Sequence, residues 1–487
     1  MAYDSDVEDT PLLAADSDTT YDGKHRRKDL NARIPWAALS ALWLVNVVPG
    51  LAFEIILPFV NAMLMENGVA HNPEEVGWYS GVTESLFAVV QILTVVPFSY
   101  ISDVIGRKPM IVLGNIGVAL STSCFGVSKT FKGMLLSRAL SGALGGSWAA
   151  IRVMLAEMVP KHFHATAFAG IAMSYRVGQI IGLPLGGWLA HPERHLGFTG
   201  QFWRTYPFAL PCFVGAAFAV LTAIYGLIAL RETLKNPWRP TLRRRKEYDS
   251  RSSTPKNAID ELPKPKRAVT LSEAMNPKAV HVLISNFLTA FFAECLFALI
   301  PLFCFTPRRS AGLGLSEAQI GTHMSIRAVV HILLMIPFPI FQRRFGTVGV
   351  YNLVTPLWPI TIALFPVCGH LAKRYDDPNH PLVWAAVLLL YVVWSLASLG
   401  WACMSILIND ATPSPEALAR LNAIAQLSIV IPQALAPASG TALFAFSLRT
   451  GFLNGNLIWV LLFAFSCLFA LHAWWFIRDE PEAESES

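Results

Sequence analysis

Twelve stretches of the chain are each long and apolar enough to cross a bilayer: 36–63, 78–101, 109–128, 132–156, 166–190, 206–230, 280–304, 320–341, 349–371, 383–407, 419–446 and 455–477. A helix needs about 20 such residues to span the hydrocarbon core. Composition agrees, with 54% hydrophobic and only 15% charged residues in a chain of 487. A soluble domain carries about 25% charged residues. The expectation is an all-α integral membrane protein with twelve transmembrane helices.

An even number of spans places both chain ends on one side, and Lys and Arg choose that side because cytoplasmic loops retain positive charge. With the N-terminus inside, 25 of the 38 basic residues fall in cytoplasmic segments, 9 in the opposite loops and 4 (Arg138, Arg152, Arg176, Arg327) inside spans. Both termini are therefore expected in the cytoplasm. Residues 1–33 are acidic and polar, unlike a signal peptide, and are expected to form a disordered cytoplasmic tail. Within that tail, Glu8-Asp9-Thr10-Pro11-Leu12-Leu13 resembles an acidic dileucine sorting signal, so the expected location is the plasma membrane or the vacuolar membrane.

Residues 231–279 are rich in Ser, Pro and Lys, contain the run Arg243-Arg244-Arg245-Lys246, and show no helical period. They read as a cytoplasmic linker between a six-helix half at 34–230 and a second at 280–477, with a short cytoplasmic tail at 478–487. The net charge of +5 does not imply nucleic acid, because the basic residues lie between apolar runs and not on a folded basic face. The seven cysteines form no C-x-x-C pair and read as small hydrophobes, with no metal site expected.

Three local motifs accompany this layout. Ser99-Tyr100-Ile101-Ser102-Asp103-Val104-Ile105-Gly106-Arg107-Lys108 follows the second span, Arg138-Ala139-Leu140-Ser141-Gly142 lies in the fourth, and Gly178-x-x-x-Gly182-Leu183-Pro184-Leu185-Gly186-Gly187 lies in the fifth. They resemble, in order, the G-x-L-x-D-x-x-G-R-K loop, the R-x-x-Q-G element and the antiporter-type glycine stretch of the major facilitator superfamily. The first half, with Ala190-His191-Pro192 and Arg231-Glu232-Thr233-Leu234, is most similar to the drug:proton antiporter group that includes zinc-induced facilitator-like transporters. In the second half, Gln342-Arg343-Arg344-Phe345-Gly346 stands where the signature loop recurs, without its aspartate.

The resemblance implies a secondary carrier that exports a small organic compound in exchange for protons by alternating access. Its expected partners are a small-molecule substrate, protons and the lipid bilayer, and it is expected to be a monomer without a cofactor. Asp103, Gly106, Arg107, Lys108 and Glu157 are expected to form a conformational latch, with Asp103 facing the start of the eleventh span. Gly178, Gly182, Gly186 and Gly187 place small residues on one helix face for close packing, and Pro184 invites a kink. A charge in the bilayer costs about 2.5–3.5 kcal/mol on insertion scales and is normally paired or functional. Glu54, Arg138, Glu294 and Arg327 are accordingly the candidates for a proton and substrate cavity.

Glu84, near the start of its span, reads as a solvated end, and His331 as a hydrogen-bonded core residue. Arg152 and Arg176 fit either cavity or latch. Trp43, Phe53, Trp148, Trp394 and Trp401 are either a wall for an amphiphilic ligand or packing residues. The alternatives are a proton-coupled importer of a sugar, peptide or metal chelate, and a non-transporting membrane sensor. No phosphate loop, metal cluster or nucleophile motif points to ATP use or to an enzyme.

Overall fold

A computed structural model describes residues 36–160, 163–234, 275–412 and 418–478. The dileucine-like segment, Lys161, most of the linker and the residues after Arg478 lie outside the described residues. Eighteen α-helices and no strand are found among them. The first span is α1 (Trp36–Glu54) continued by α2 (Val60–Glu66); α3 (Pro73–Ile105) and α4 (Arg107–Gly126) follow. The fourth span is α5 (Phe131–Gly145) and α6 (Ala149–Met158), joined by one 3₁₀ turn, and α7 (His164–Trp188) is the fifth. Two short helices, α8 (Pro192–His195) and α9 (Gln201–Thr205), lead to α10 (Ala209–Ala229).

The second series opens with α11 (Pro277–Phe305), α12 (Glu317–Met335), α13 (Phe338–Val354) and α14 (Leu357–Tyr375). It ends with α15 (Pro381–Ala397) and α16 (Gly400–Asp410), which together make the tenth span, then α17 (Leu418–Thr450) and α18 (Leu457–Phe476). Helix α13 is divided at Gly346, whose φ of 71° no helix allows. Residues before it complete the eighth span and those after it begin the ninth. Gly106, at φ 116°, makes the matching break between α3 and α4. Both are turns that a residue with a Cβ would strain.

By length and hydropathy, nine helical segments among the described residues are long and apolar enough to cross a membrane, or ten with the bent pair α12 and α13. The remaining two spans, α7 and α14, pack among them: α7 against α1 and α12, α14 against α15 and α18. All twelve expected spans thus correspond to helices. Helix α7 continues through Pro184, where a kink was expected. The seven cysteines are free, and five of them are buried among apolar side chains.

The two helix series meet mainly at the end of the bundle that carries Glu66. There a Cβ on Gly77 or Gly81 would strike Thr441 of α17, one on Gly187 would strike the Glu317 carbonyl, and one on Gly321 would strike the Leu183 carbonyl. Ser85 accepts from the Ala438 N–H at 3.0 Å, and the Trp188 indole donates to Thr322 at 3.2 Å. The largest apolar core includes residues of both series from Leu57 to Val76 and from Leu296 to Leu315, whereas the core around Leu39, Met110 and Met154 belongs to the first series alone. Close packing therefore seals the Glu66 end.

Candidate functional site

Pro58 has no N–H to donate to the carbonyl four residues back, so the first span breaks after Glu54. Residues 55–59 form turns instead, with Leu57 N–H reaching the Glu54 carbonyl at 3.2 Å. Related interruptions occur in the fourth span at Gly146–Trp148 and in the tenth at Ser398 and Leu399. Broken helices at the bilayer midplane characterise the substrate sites of repeat-built carriers.

A cavity of about 170 Å³ lies beside the breaks in the first and tenth spans. Helix α1 contributes Phe53 and Glu54; α7 contributes Tyr175, Arg176 and Gln179; α11 contributes Ala293, Glu294 and Phe297. The other wall is Arg327 and His331 of α12, Trp394, Ser398 and Trp401 of the tenth span, and Gln433 of α17. A side recess adds Glu84, Phe87, Ala88 and Pro437.

Arg176 Nη1 donates to Gln179 Oε1 at 2.7 Å, and Gln179 Nε2 donates to Glu54 Oε1. One neutral amide thus joins a cation to an anion that do not touch. The second oxygen of Glu54 is buried without a hydrogen-bond partner. Arg327 lies over the Trp394 ring at 4.4 Å and the Phe297 ring at 5.3 Å, and its Nε also lacks a partner. Among the described residues, Glu54, Glu84, Glu294, Arg138 and Arg327 form no ion pair within 4.0 Å. Buried charge is costly unless partnered, so the buried Glu54, Glu84, Arg138 and Arg327, with the half-buried Glu294, are candidates for a ligand or a proton and not static pairs.

The structure gathers Glu54, Glu294 and Arg327 but places Arg138 apart. Its guanidinium sits 5.3, 5.6 and 5.7 Å from the rings of Phe53, Phe87 and Phe125, behind Phe53 as seen from the cavity. Glu84 is a correction: it is 5% exposed and belongs to the side recess. Helix α3 begins at Pro73, before the apolar run does, which sets Glu84 three turns inside. Arg176 joins the cavity, whereas Arg152 is exposed and outside it. His331 is buried with a hydrogen bond to the Ser395 backbone, as expected of a core residue, and it also lines the cavity with Nδ1 unpartnered.

The aromatic candidates divide. Phe53, Trp394 and Trp401 line the cavity, while Trp43 donates to the Ala167 carbonyl at 3.2 Å and Trp148 packs on Phe87. Among the described residues, no three His, Cys, Asp or Glu side chains are grouped as for a metal ion.

At the α3–α4 turn, Arg107 pairs with Asp103 and reaches Glu157 at 3.3 Å. Glu232, just beyond α10, accepts from the main-chain N–H groups of Arg107 and Lys108 at 3.0 Å each. A Cβ on Gly106 would collide with that carboxylate. Asp103 was expected to face the start of the eleventh span; residues 413–417 just before that span, and the side chains of 418–420 at its start, lie outside the described residues. In α7, Gly178, Gly182 and Gly186 meet the α1 backbone at Val47, Leu51 and the turn residue Ile55, while Gly187 faces α12.

Gln179, Tyr175, Ser398 and Gln433 escaped the sequence reading, and Glu232 stood there only as part of the run Arg231-Glu232-Thr233-Leu234, with no role assigned. The first four are uncharged and silent in a search for intramembrane charge. A signal for Gln179 existed in its place between Gly178 and Gly182, on a helix expected to pack closely.

The family model described as Major Facilitator Superfamily matches residues 42–309 and 282–487. An Aspergillus niger protein named efflux pump azaK is 28% identical over 460 residues, covering 93% of this chain and 92% of its own. The Arabidopsis thaliana protein zinc induced facilitator 1 is 26% identical over 442 residues, covering 88% and 89%. Among solved structures, a D-xylose-proton symporter superposes with a TM-score of 0.65 at 15% identity, covering 92% of this chain and 98% of its own.

Proposed function

The chain belongs to the major facilitator superfamily of multi-pass membrane transporters, and from that premise we propose that it exports a small organic compound in exchange for protons. The observation that carries this reading is the pair Glu54 and Glu294, one from each helix series, lining one cavity without an ion pair. Each carboxyl can hold a proton when the cavity is empty and release it to water when a cationic group of the substrate takes its place. An arginine on each side keeps the charge balance within reach as that exchange occurs. The efflux pump among the relatives supports the outward direction.

In this reading the Trp36 end and both termini are cytoplasmic, the sealed Glu66 end faces outward or into a vacuole, and the protein works as a monomer in the plasma or vacuolar membrane. Two bundles, 34–230 and 280–477, rock about the cavity, joined by the linker 231–279. Asp103, Arg107, Lys108 and Glu157, with Gly106 as the turn, act as the latch of the opposite state. Glu232 holds that turn in place.

The test is reconstitution in vesicles with an imposed pH gradient and a panel of labelled organic solutes. Solute movement driven by the gradient, with reciprocal proton movement, is expected, and Glu54→Gln with Glu294→Gln should uncouple the two fluxes. Unaltered coupling in both variants, or solute flux indifferent to the gradient, would sink the mechanism.

A further inference from the structure

Four charged side chains line the central cavity, and they are not equivalent. Arg176 and Glu54 are joined through Gln179, which engages one Glu54 oxygen and leaves the other buried without a partner. Glu294 and Arg327 have no hydrogen bond or ion pair to any described residue; Arg327 is 7% exposed with the rings of Phe297 and Trp394 against its guanidinium, and Glu294 is half-buried. Phe297 stands one turn after Glu294 on α11 and lies under the Arg327 guanidinium at 5.3 Å, so one ring links the open anion to the open cation. His331, one turn along α12 from Arg327, adds a buried Nδ1 without a partner.

We propose that the cavity selects small amphoteric aromatic compounds, with Arg327 reading the acid group, Glu294 the ammonium, and Phe297 and Trp394 the ring. A ligand with one charge of each sign pairs both open side chains and leaves the net charge of the cavity unchanged. A purely cationic ligand leaves Arg327 buried without a counter-charge, which is costly in a low-dielectric interior, and a purely anionic one leaves the half-buried Glu294 unpaired. The planar guanidinium fork suits a carboxylate or a phosphate, each of which offers it two oxygens. At about 170 Å³ the cavity is smaller than the roughly 300–1,000 Å³ of drug-sized pockets, which favours compact molecules.

This inference rests on reading the cavity as the substrate site, but not on proton coupling, so a binding assay without a gradient tests it separately. Full-length protein in detergent is titrated with phenylalanine, phenethylamine and phenylacetate, which share a ring and differ in charge. Isothermal titration calorimetry reports occupancy. Phenylalanine should half-saturate at a concentration at least tenfold below either monopolar probe. Arg327→Gln should remove its advantage over phenethylamine, Arg327→Lys should restore part of it and show that the fold tolerates the site, and Arg152→Gln, outside the cavity, should change nothing. Equal or tighter binding of phenethylamine, no response to any of the three, or an unchanged ranking in Arg327→Gln would overturn the proposal.

Discussion

Glu232 caps the helix that Arg107 begins: its carboxylate takes the Arg107 and Lys108 main-chain N–H groups at 3.0 Å each. The first N–H groups of a helix have no partner within it, and its positive dipole end favours an anion. Glu232 is half-exposed and also accepts from the N–H groups of Thr233 and Leu234, which bends its own segment toward α4. Hydrogen bonds to a charged group contribute about 1.5–3 kcal/mol when buried, and partial exposure trims that. Glu232→Ala is expected to lower stability by about 1–2 kcal/mol, and Glu232→Gln by less. Unfolding in urea from a fixed detergent checks both, and equal stability of Glu232→Ala and the parent would contradict the cap.

The glycines of α7 serve two different contacts, and enlarging them should have two different results. Gly182 touches the α1 backbone at Leu51, within one helix series, whereas Gly187 touches the α12 backbone at Glu317, across the seam. Overpacking a tight contact costs about 1–3 kcal/mol. Gly182→Val should therefore lower thermal stability. Gly187→Val should instead loosen the seal, and cross-linking of a Trp188→Cys, Thr322→Cys pair, whose parent side chains are hydrogen-bonded at 3.2 Å, should fall severalfold. Cross-linking that is unaffected would mean that the seam does not depend on Gly187.

His191 gives the Glu66 end a pH dependence. It is 2% exposed, with Nδ1 at 3.0 Å from Glu193 and Nε2 at 3.2 Å from Glu66, and Arg194 stands beyond both carboxylates. Burial, the largest influence, acts to lower its pKa, but Glu66 and Glu193 together raise it above the ordinary 6.5. A histidine whose folded pKa exceeds its unfolded value stabilises the fold fully below the unfolded value, and that contribution is lost as pH rises through the folded value. The apparent melting temperature, at a fixed scan rate, should decline as pH is raised above about 6.5. His191→Gln should flatten that decline; an identical profile in the variant would dismiss the residue as its source.

Span length and the signature turn were legible because each depends on local residues. Twelve apolar runs needed no knowledge of which face points inward, and Gly106 and Gly346 mark turns that only a residue without a Cβ enters easily. The depth of Glu84 was not legible. Pro73, Glu74 and Glu75 start α3 with a proline and two acids at the positive end of the helix dipole, so the helix extends beyond its apolar run. Arg138 and Arg327 look alike in sequence, each an arginine set within an apolar span. Only the packing of Phe53 between Arg138 and the cavity separates them. Gln179 shows a further limit, since a neutral side chain bridging two charges leaves no charge pattern to read.

Arg138 therefore calls for a test that distinguishes support of the fold from a part in transport. Its guanidinium is 2% exposed, faces three aromatic rings, has no carboxylate within 4.0 Å among the described residues, and leaves Nε without a partner. Cation–π contacts contribute about 0.5–2 kcal/mol each, against an effective desolvation penalty of several kcal/mol for the buried ion. These terms nearly cancel, so an apolar side chain of similar reach should fit at little cost. Arg138→Met is expected to keep the parent stability to within about 1 kcal/mol. If Arg138 balances the charge of Glu84 or Glu54 as protons move, the same variant should lose most gradient-driven transport while retaining its fold. A loss of more than about 3 kcal/mol would mark a structural charge, and full transport in a stable Arg138→Met protein would remove Arg138 from the mechanism.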